Sequence, residues 1–307
     1  MIGEHIKFRH LQCFLAVAQH GSLQKAADVL AITQPAVSKT LKELEGLLAV
    51  RLFERGRKGA VLTHSGEAFM RHAGASVGAL REAVASVAQT QGRTVITVGV
   101  LPTVAPWLVP QLLMAQDAQA RDGVRPASLR IVTGSNPDLL TRLRQRELDL
   151  VIGRFAEPAQ MLGLSFEHLY ADPLLLAVRP GHPLVAAPVA DLLAQLGHFP
   201  VILPTAGTAI RHAADGFFLS RGLPAPQRTV ETLSVSIARG YALQSDAVWV
   251  SPWGAARPDI ESGGLCALPV NMAGTEEQVG LTLQADRVPT AAEAALMALI
   301  RQVAALR

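Results

Sequence analysis

The sequence has little cysteine, few aromatic residues and no long apolar run. Its two cysteines in 307 residues exclude a disulfide framework, and with aromatic residues at 5% the cores must consist mainly of Leu, Val, Ile and Ala. Half of the residues are hydrophobic, which excludes a disordered chain. No apolar stretch approaches the roughly 18 residues of a membrane span, and the polar N-terminus is unlike a signal peptide. We expect a soluble cytoplasmic protein with two domains.

Lysine is missing from residues 59–307, because all five lysines lie in the first 58 residues. Residues 1–92 hold 11 Lys and Arg against 7 Asp and Glu, whereas residues 93–307 hold 17 against 18. Positive charge concentrated at one end of the chain favours a polyanionic partner there.

Sequence motifs for catalysis and metal binding are also missing. The chain has no phosphate-binding P-loop, no G-x-S-x-G nucleophile elbow and no Cys-x-x-Cys pair, and its nine histidines lack metal-ligand spacing. Cys13 and Cys266 lie in different predicted domains, on an apolar helix face and in a strand, which favours inert buried thiols over a redox switch. We therefore expect no enzymatic activity, no metal and no cofactor.

Residues 1–65 are predicted to form three short helices followed by a two-stranded wing. Apolar residues recur at helical spacing from Leu11 to Ala18, and Ser22 and Thr33 can cap a second and a third helix. Residues 51–63 break the helical period and place glycines within a basic run, which is typical of a hairpin. From about residue 66 to residue 92, heptad-like apolar spacing predicts a long helix that pairs with another helix.

Two short helices joined by a tight turn and followed by a basic wing predict a winged helix-turn-helix, whose second helix enters the major groove of DNA. Gln34 can pair with adenine, and Lys39 and Lys42 can reach guanine or phosphate. The basic wing would contact phosphates or the minor groove. The candidate DNA-binding residues are Gln34, Ser38, Lys39, Lys42, Arg55, Arg57 and Lys58, together with the cap residue Ser22. The alternative is a helical bundle with a solvated basic face.

From Thr94 onward, predicted strands alternate with predicted helices, which favours a mainly parallel sheet with helices on both faces. About 215 residues of this pattern could form two sheets, with crossings near residues 156–163 and 263–269. Strands are expected at 94–101, 128–133, 148–153, 164–178, 200–203, 227–231, 247–251, 264–270 and 278–284. Helices are expected at 103–118, 136–146, 189–196, 208–221, 233–244 and 290–306.

Several motifs near the N-terminus resemble the DNA-binding end of LysR-type transcriptional regulators. They are the GS-xx-xAA-xxL helix that begins at Gly21, the TQPAVSK turn and helix, the LFER run and the LTHSGE boundary. The resemblance continues along the whole chain. It implies a winged helix-turn-helix domain at 1–65, a linker and dimerisation helix at 66–92 and a two-lobed α/β effector-binding domain at 93–307, shaped like periplasmic binding proteins. The lobes would span about 93–162 with 267–307, and about 163–266.

The same resemblance implies a homodimer formed through the linker helix, a tetramer of two such dimers, and double-stranded DNA with dyad symmetry as the partner. At the matching positions it makes Gln34, Pro35, Ser38, Lys39 and Lys42, with Arg55 in the wing, the expected contacts to bases and phosphates. In the second half, ILPTAGTAIR at 202–211 and SDAVWVS at 245–251 resemble regulators of protocatechuate and related hydroxybenzoate catabolism. This implies an aromatic acid or a ring-cleavage product as the effector.

Strand-to-helix turns in the α/β part offer backbone N–H groups to an anionic ligand. Arg154 ends the strand LDLVIG, where its guanidinium suits a carboxylate, and Trp253 could stack on an aromatic ring. The expected effector-binding residues are Leu101, Pro102, Thr103, Ser135, Asn136, Arg154, Thr205, Thr208, Ser234 and Trp253. Alternatively, the hydroxyl residues are simple helix caps and Arg154 forms an inter-lobe salt bridge. Arg211 is more typical of a structural ion pair, and Trp249 of a core residue.

These patterns predict a DNA-binding transcription regulator that responds to a small carboxylate and controls a catabolic operon. The competing hypothesis is a small-molecule-binding module, or an enzyme, with a helical N-terminal extension.

Overall fold

The computed structural model describes residues 5–56, 59–89, 95–123, 125–223 and 226–306. The chain divides into two compact units, Met1–Arg93 with Thr141–Leu148, and Thr94–Leu140 with Asp149–Arg307. No helix among the described residues is both long and apolar enough to cross a membrane.

The first unit contains three short helices, a two-stranded hairpin and a long helix. They are α1 (Phe8–His20), α2 (Leu23–Leu30), α3 (Gln34–Leu48), β1 (Phe53–Gly56), β2 (Gly59–Leu62) and α4 (His64–Gln89). The hydroxyls of Ser22 and Thr33 each accept a hydrogen bond from a backbone N–H in the first turn of the following helix, at 3.4 Å. These contacts confirm the two predicted caps, and the antiparallel pairing of β1 with β2 confirms the predicted wing.

The side chain of Phe14 contacts several elements in the core of this unit. Phe14 of α1 is fully buried, and its ring lies 5.2 Å from the ring of Phe53 in the hairpin and 5.0 Å from that of Phe69 in α4. Val37 and Leu44 bring the buried face of α3 into the same cluster. Packing against this shared core therefore fixes the direction in which the opposite face of α3 points.

The long helix α4 begins at His64, two residues before its predicted start, and the predicted end at residue 92 lies outside the described residues. Thr63 Oγ1 accepts a hydrogen bond from the Gly66 N–H at 3.0 Å. A Cβ atom at position 66 would lie 2.2 Å from the carbonyl oxygen of Leu52. Because that neighbour is backbone, the helix start requires glycine here.

The remaining helices and strands belong to the second unit, except that the end of the helix Asn136–Arg144 falls within Thr141–Leu148 of the first. They are β3 (Val95–Val100), α5 (Ala105–Arg121), β4 (Ser128–Thr133), α6 (Asn136–Arg144), β5 (Leu150–Arg154), β6 (Leu164–Asp172), β7 (Leu174–Val178), α7 (Leu192–Gln195), β8 (Val201–Leu203), α8 (Ala209–Ser220), β9 (Thr229–Glu231), α9 (Val235–Gln244), β10 (Val248–Pro252), α10 (Trp253–Glu261), β11 (Cys266–Ala267), β12 (Glu277–Gln284) and α11 (Ala291–Ala304). Short 3₁₀ turns flank α7.

Two five-stranded sheets define two lobes in this unit. The first lobe has the strand order β4-β3-β5-β12-β6, and the second has β11-β7-β10-β8-β9. In each sheet two pairings are parallel and two are antiparallel. The expectation of a mainly parallel sheet is therefore wrong, because the strands next to the two crossings enter their sheets antiparallel.

The crossings between the lobes also differ from the prediction. The single strand expected at 164–178 breaks at Pro173: β6 pairs with β12 in the first sheet, and β7 pairs with β10 in the second. Proline has no N–H to continue a ladder, so it is a natural point for the chain to leave a sheet. The second crossing lies between β11 and β12 rather than at 263–269. The boundary placed at residues 162 and 163 is therefore wrong by one strand, since β6 belongs to the first lobe.

The second sheet is buried on both faces. Along β7, Leu174, Leu176 and Val178 pack into one apolar cluster, whereas Leu175 and Ala177 pack into another on the opposite face. This arrangement explains why the strand is an uninterrupted apolar run instead of an alternating one. Trp249 of β10 is 5% exposed and belongs to the second cluster, as expected for a core residue.

Candidate functional site

A shallow concave surface lies on the exposed side of α3. It is lined by Gln34, Pro35, Ser38, Lys39, Lys42 and Glu43. These residues form two rows at four-residue spacing along the helix, while the buried face of α3 packs into the core. The structure thus brings together five of the residues expected to contact DNA.

The other expected DNA contacts lie elsewhere. Ser22 caps α2, where its hydroxyl accepts the Lys25 N–H, and it does not line the α3 surface. Arg55 lies in β1, opposite Ala60 of β2. Arg57 and Lys58 lie outside the described residues.

Glu45 connects α3 to the wing. Its Oε1 accepts hydrogen bonds from the backbone N–H groups of Leu52 and Phe53, at 2.8 and 3.2 Å. Two charge-assisted bonds to the entry of β1 position the hairpin relative to the helix. These hydrogen bonds hold the start of β1 next to α3.

Glu43 adds an acidic group that the motif did not predict. Its carboxylate lies 3.3 Å from Arg9 Nη2 and 3.4 Å from His10 Nε2, both at the start of α1. The hydrogen bond with His10, followed by the contact with Arg9, lowers the pKa of the Glu43 carboxyl below its usual value. The signal in the sequence is the polar pair Arg9-His10 ahead of an apolar helix, but nothing there identifies its partner.

A narrow cleft lies within the second unit. Its lining includes Thr103 from the first lobe, and Pro204, Ile210, Thr232, Leu233, Ser234, Val235, Ala238, Trp249, Val250 and Pro252 from the second. The cavity volume is about 10 Å³, which is room for roughly one water molecule. In this conformation the lobes leave no space in the cleft for an aromatic acid.

Two of the expected effector-binding residues line this cleft. Thr103 lies on its first-lobe side, and Ser234 caps α9, where its hydroxyl accepts the Ile237 N–H at 3.4 Å. Thr232, which sequence reasoning did not select, lies beside Ser234 and accepts its N–H at 3.0 Å. The cleft thus combines three hydroxyl groups with the N-terminal end of α9.

Several other expected effector-binding residues have structural roles. Thr208 caps α8 and donates its hydroxyl to the Thr205 carbonyl at 2.8 Å, and Ser135 accepts the Asp138 N–H at 3.4 Å. Asn136 Nδ2 donates to the Arg154 carbonyl at 2.9 Å. These contacts agree with the alternative that the hydroxyl residues are helix caps.

The remaining expected effector-binding residues lie where the chain leaves strands. Leu101 is buried beyond β3 and donates its N–H to the Ile152 carbonyl, and Pro102 follows it. Trp253 is half-buried at the start of α10, and its side chain packs against the cluster that contains Trp249. Its backbone N–H donates a hydrogen bond to the Pro173 carbonyl. None of these three is among the residues described as lining the cleft.

Arg154 is enclosed in a buried ion pair. Its Nη2 donates to Asp172 Oδ2 at 2.9 Å, and its Nη1 donates to Thr103 Oγ1 at 2.7 Å. The other oxygen of Asp172 accepts the Gly254 N–H at 3.1 Å. The two charged side chains are only 5% and 1% exposed. The structure therefore has a salt bridge at Arg154 in place of an open carboxylate clamp. Both residues lie on strands of the first sheet, so the bridge is within one lobe and is not the inter-lobe pair of the alternative.

Two further charged groups of the second unit have shifted pKa values. Arg211 pairs with Asp215 and Glu231, at 2.8 and 2.6 Å, which is the structural role expected of it and raises its pKa. Glu277, at the start of β12, is half-buried. Burial raises the pKa of its carboxyl, while the charges of Arg154 and His212 act in the opposite direction.

Two segments of the chain match known protein families. Residues 8–67 match the family model of bacterial regulatory helix-turn-helix proteins of the lysR family, and residues 89–305 match the LysR substrate binding domain. The chain belongs to the LysR family of transcriptional regulators. It is therefore a DNA-binding regulator with a substrate-binding domain, and the competing hypothesis of an enzyme is rejected.

Among similar curated proteins, the HTH-type transcriptional regulator PcaQ of Agrobacterium fabrum is 41% identical over 306 residues, covering 99% of this chain and 97% of that protein. The uncharacterized HTH-type transcriptional regulator YdcI of Escherichia coli is 40% identical over 288 residues, covering 93% and 92%. Both relatives are matched along nearly their whole length.

Solved structures of other LysR regulators show the same fold. Full-length LysG of Corynebacterium glutamicum with bound effector Arg has a TM-score of 0.61 at 17% identity, covering 98% of this chain and 99% of that one. ArgP of Mycobacterium tuberculosis has a TM-score of 0.61 at 18% identity, covering 96% of both. At these identities the likeness concerns the fold alone.

Proposed function

We propose that this LysR regulator contacts an operator of dyad symmetry through the α3 surface and the wing, and that a small carboxylate bound in the inter-lobe cleft controls this activity. The effector is an aromatic acid or a ring-cleavage product, and the target is a catabolic operon. The protein acts in the cytoplasm as a homodimer joined through α4, with two dimers forming a tetramer.

The α3 surface carries the DNA-binding part of the proposal. Gln34 lies in the first turn of α3, where a recognition helix meets base edges, and its amide suits adenine. Lys39 and Lys42 are exposed on the same surface, one turn apart, and suit guanine or phosphate. The Glu45 contacts keep the wing next to this helix, so that Arg55, Arg57 and Lys58 add phosphate contacts.

The proposed effector site centres on Thr103, Thr232 and Ser234. Hydroxyl groups and the N-terminal end of α9 suit a carboxylate, and the apolar cleft wall suits a ring. Arg154 acts through its hydrogen bond to Thr103, which fixes that hydroxyl. The 41% identity to PcaQ over nearly the whole chain, together with the resemblance of segments 202–211 and 245–251, supports an aromatic acid or its ring-cleavage product.

The small cavity implies how binding would be transmitted. A cavity of about 10 Å³ does not hold an aromatic acid, so the proposal requires the lobes to move apart when the ligand binds. A ligand with unequal affinity for two lobe arrangements shifts the equilibrium between them. That shift would change how the subunits pack and how the helix-turn-helix domains are positioned on the two half-sites of the operator.

A thermal-unfolding screen against protocatechuate, gallate and carboxymuconates tests the effector site. An acid at about 100 times its dissociation constant should stabilise the protein by roughly 2.7 kcal/mol. Ser234→Ala should weaken that ligand-induced shift, because it removes a hydroxyl that lines the cleft.

Thr290→Ala is the matched control, because it removes the equivalent cap hydroxyl from α11, away from the residues that line the cleft. Each variant should lose about 1 kcal/mol without ligand, but only Ser234→Ala should lose ligand response. No shift with any of these acids would contradict the proposed effector class, and equal responses in both variants would remove Ser234 from the site.

A further inference from the structure

Arg9 lies beside the α3 surface, although it is outside the helix-turn-helix and wing residues that were expected to contact DNA. Its Nη2 is 3.3 Å from Oε2 of Glu43, which is one of the residues that line the surface. Glu43 continues the row of Pro35 and Lys39 along α3 at four-residue spacing. The Arg9 guanidinium therefore extends this row from α3 onto the start of α1.

The carboxylate that holds Arg9 is itself fixed from a second side. His10 is 2% exposed, and its Nδ1 accepts the backbone N–H of Lys7 at 3.0 Å. With Nδ1 as the acceptor, Nε2 carries the proton and points at Glu43 Oε2, 3.4 Å away. A buried imidazole thus anchors Glu43, and Glu43 orients the guanidinium.

We infer that Arg9 is a further contact to the DNA backbone and that Glu43 is its positioning residue. The contact with Glu43 uses Nη2, and 58% of the Arg9 side chain is exposed, so a ligand can reach the guanidinium beside the surface. A guanidinium in this arrangement suits a phosphate, because its fork of donors can bind two groups at once. Such a contact would fix the register of α3 in the groove without reading sequence.

The inference rests on the proposal that the α3 surface binds DNA. One salt titration distinguishes failure of the inference from failure of that proposal. Binding of the full-length protein to a mixed-sequence duplex is measured by fluorescence anisotropy at increasing salt. Arg9→Gln should reduce the slope of log K against log salt concentration by about one per protomer, as should Lys42→Gln. Arg121→Gln, on α5, makes the same charge change in the second unit, outside the unit that contains α3, and should leave the slope unchanged.

If Arg9→Gln behaves like Arg121→Gln while Lys42→Gln lowers the slope, the inference is wrong and the proposed surface stands. If neither Arg9→Gln nor Lys42→Gln lowers the slope, the α3 surface itself is wrongly assigned and the inference fails with it. Thermal unfolding of each variant should match the wild type, since an exposed ion pair adds little stability.

The positioning role of Glu43 is tested in a double-mutant cycle. The cycle compares slopes of log K against log salt concentration. Affinities alone are not suitable, because removing the Glu43 carboxylate near DNA changes the affinity whether or not Glu43 orients Arg9. Arg9→Gln should reduce the slope less in a Glu43→Gln background than in the wild type, and Arg9→Lys should keep most of the wild-type slope. An equal effect of Arg9→Gln in both backgrounds would show that Glu43 does not orient Arg9.

Discussion

Arg154 and Asp172 form a buried ion pair. Asp172 directly precedes the crossing between the lobes at Pro173. Thr103 and the Gly254 N–H each add a hydrogen bond to the pair. Such a network is stable only while both charges are present, because either one alone would be a buried charge without compensation. Its position makes Thr103 a shared residue of the ion-pair network and the cleft.

Arg154→Ala should therefore destabilise the substrate-binding domain strongly, by about 3–5 kcal/mol. Arg301→Ala is the matched control, since it breaks an exposed pair with Glu167 and should cost at most about 1 kcal/mol. Thermal unfolding of the two variants beside the wild type measures the difference. Equal small losses would mean that the Arg154 pair is accessible to water.

The sequence placed Arg154 correctly at the end of a buried strand but could not identify its partner. Asp172 ends β6, and β5 and β6 become near neighbours only because β12, more than a hundred residues later, lies between them. A pairing that depends on such a distant strand leaves no local signal. The contacts of Glu43 with Arg9 and His10 likewise join residues 34 and 33 positions apart, so the sequence did not show them.

At the level of elements, the start of α4 depends on a close approach between backbones. Gly66→Ala should destabilise the first unit, because the added Cβ would meet the Leu52 carbonyl oxygen at 2.2 Å. Gly46→Ala, within α3, is the matched control: a Cβ there meets nothing within 4 Å, and alanine should stabilise the helix by about 0.5–1 kcal/mol. Opposite signs in thermal unfolding are expected, and a neutral Gly66→Ala would mean that the helix start can shift.

Local patterns predicted the elements of the N-terminal part well. Helical periodicity, the Ser22 and Thr33 caps and the glycines of the hairpin are decided by neighbouring residues, and the structure has each of them. In the second unit the strands were found, but α10 was missed and the strand across Pro173 was not divided. Both features depend on the sheet that a segment joins, and the composition of the segment does not determine that sheet.

At the level of the whole molecule, charge and fold agree. The basic surplus lies in residues 1–92, which include the segment 8–67 that matches the helix-turn-helix family, and the remainder is nearly neutral. The first unit therefore carries the positive charge that attracts DNA, whereas the second unit contains the cleft proposed to bind the effector. The proposed dimer adds the requirement that two copies of α3 bind two half-sites.

Selection of bound sequences from a pool of random duplexes by the full-length protein tests the central claim most directly. The wild type should enrich two half-sites related by a dyad. Gln34→Ala should relax the preference at one position in each half-site, whereas Lys42→Gln should bind more weakly with the same preferences. Enriched sequences without dyad symmetry, or an unchanged preference in Gln34→Ala, would contradict the account.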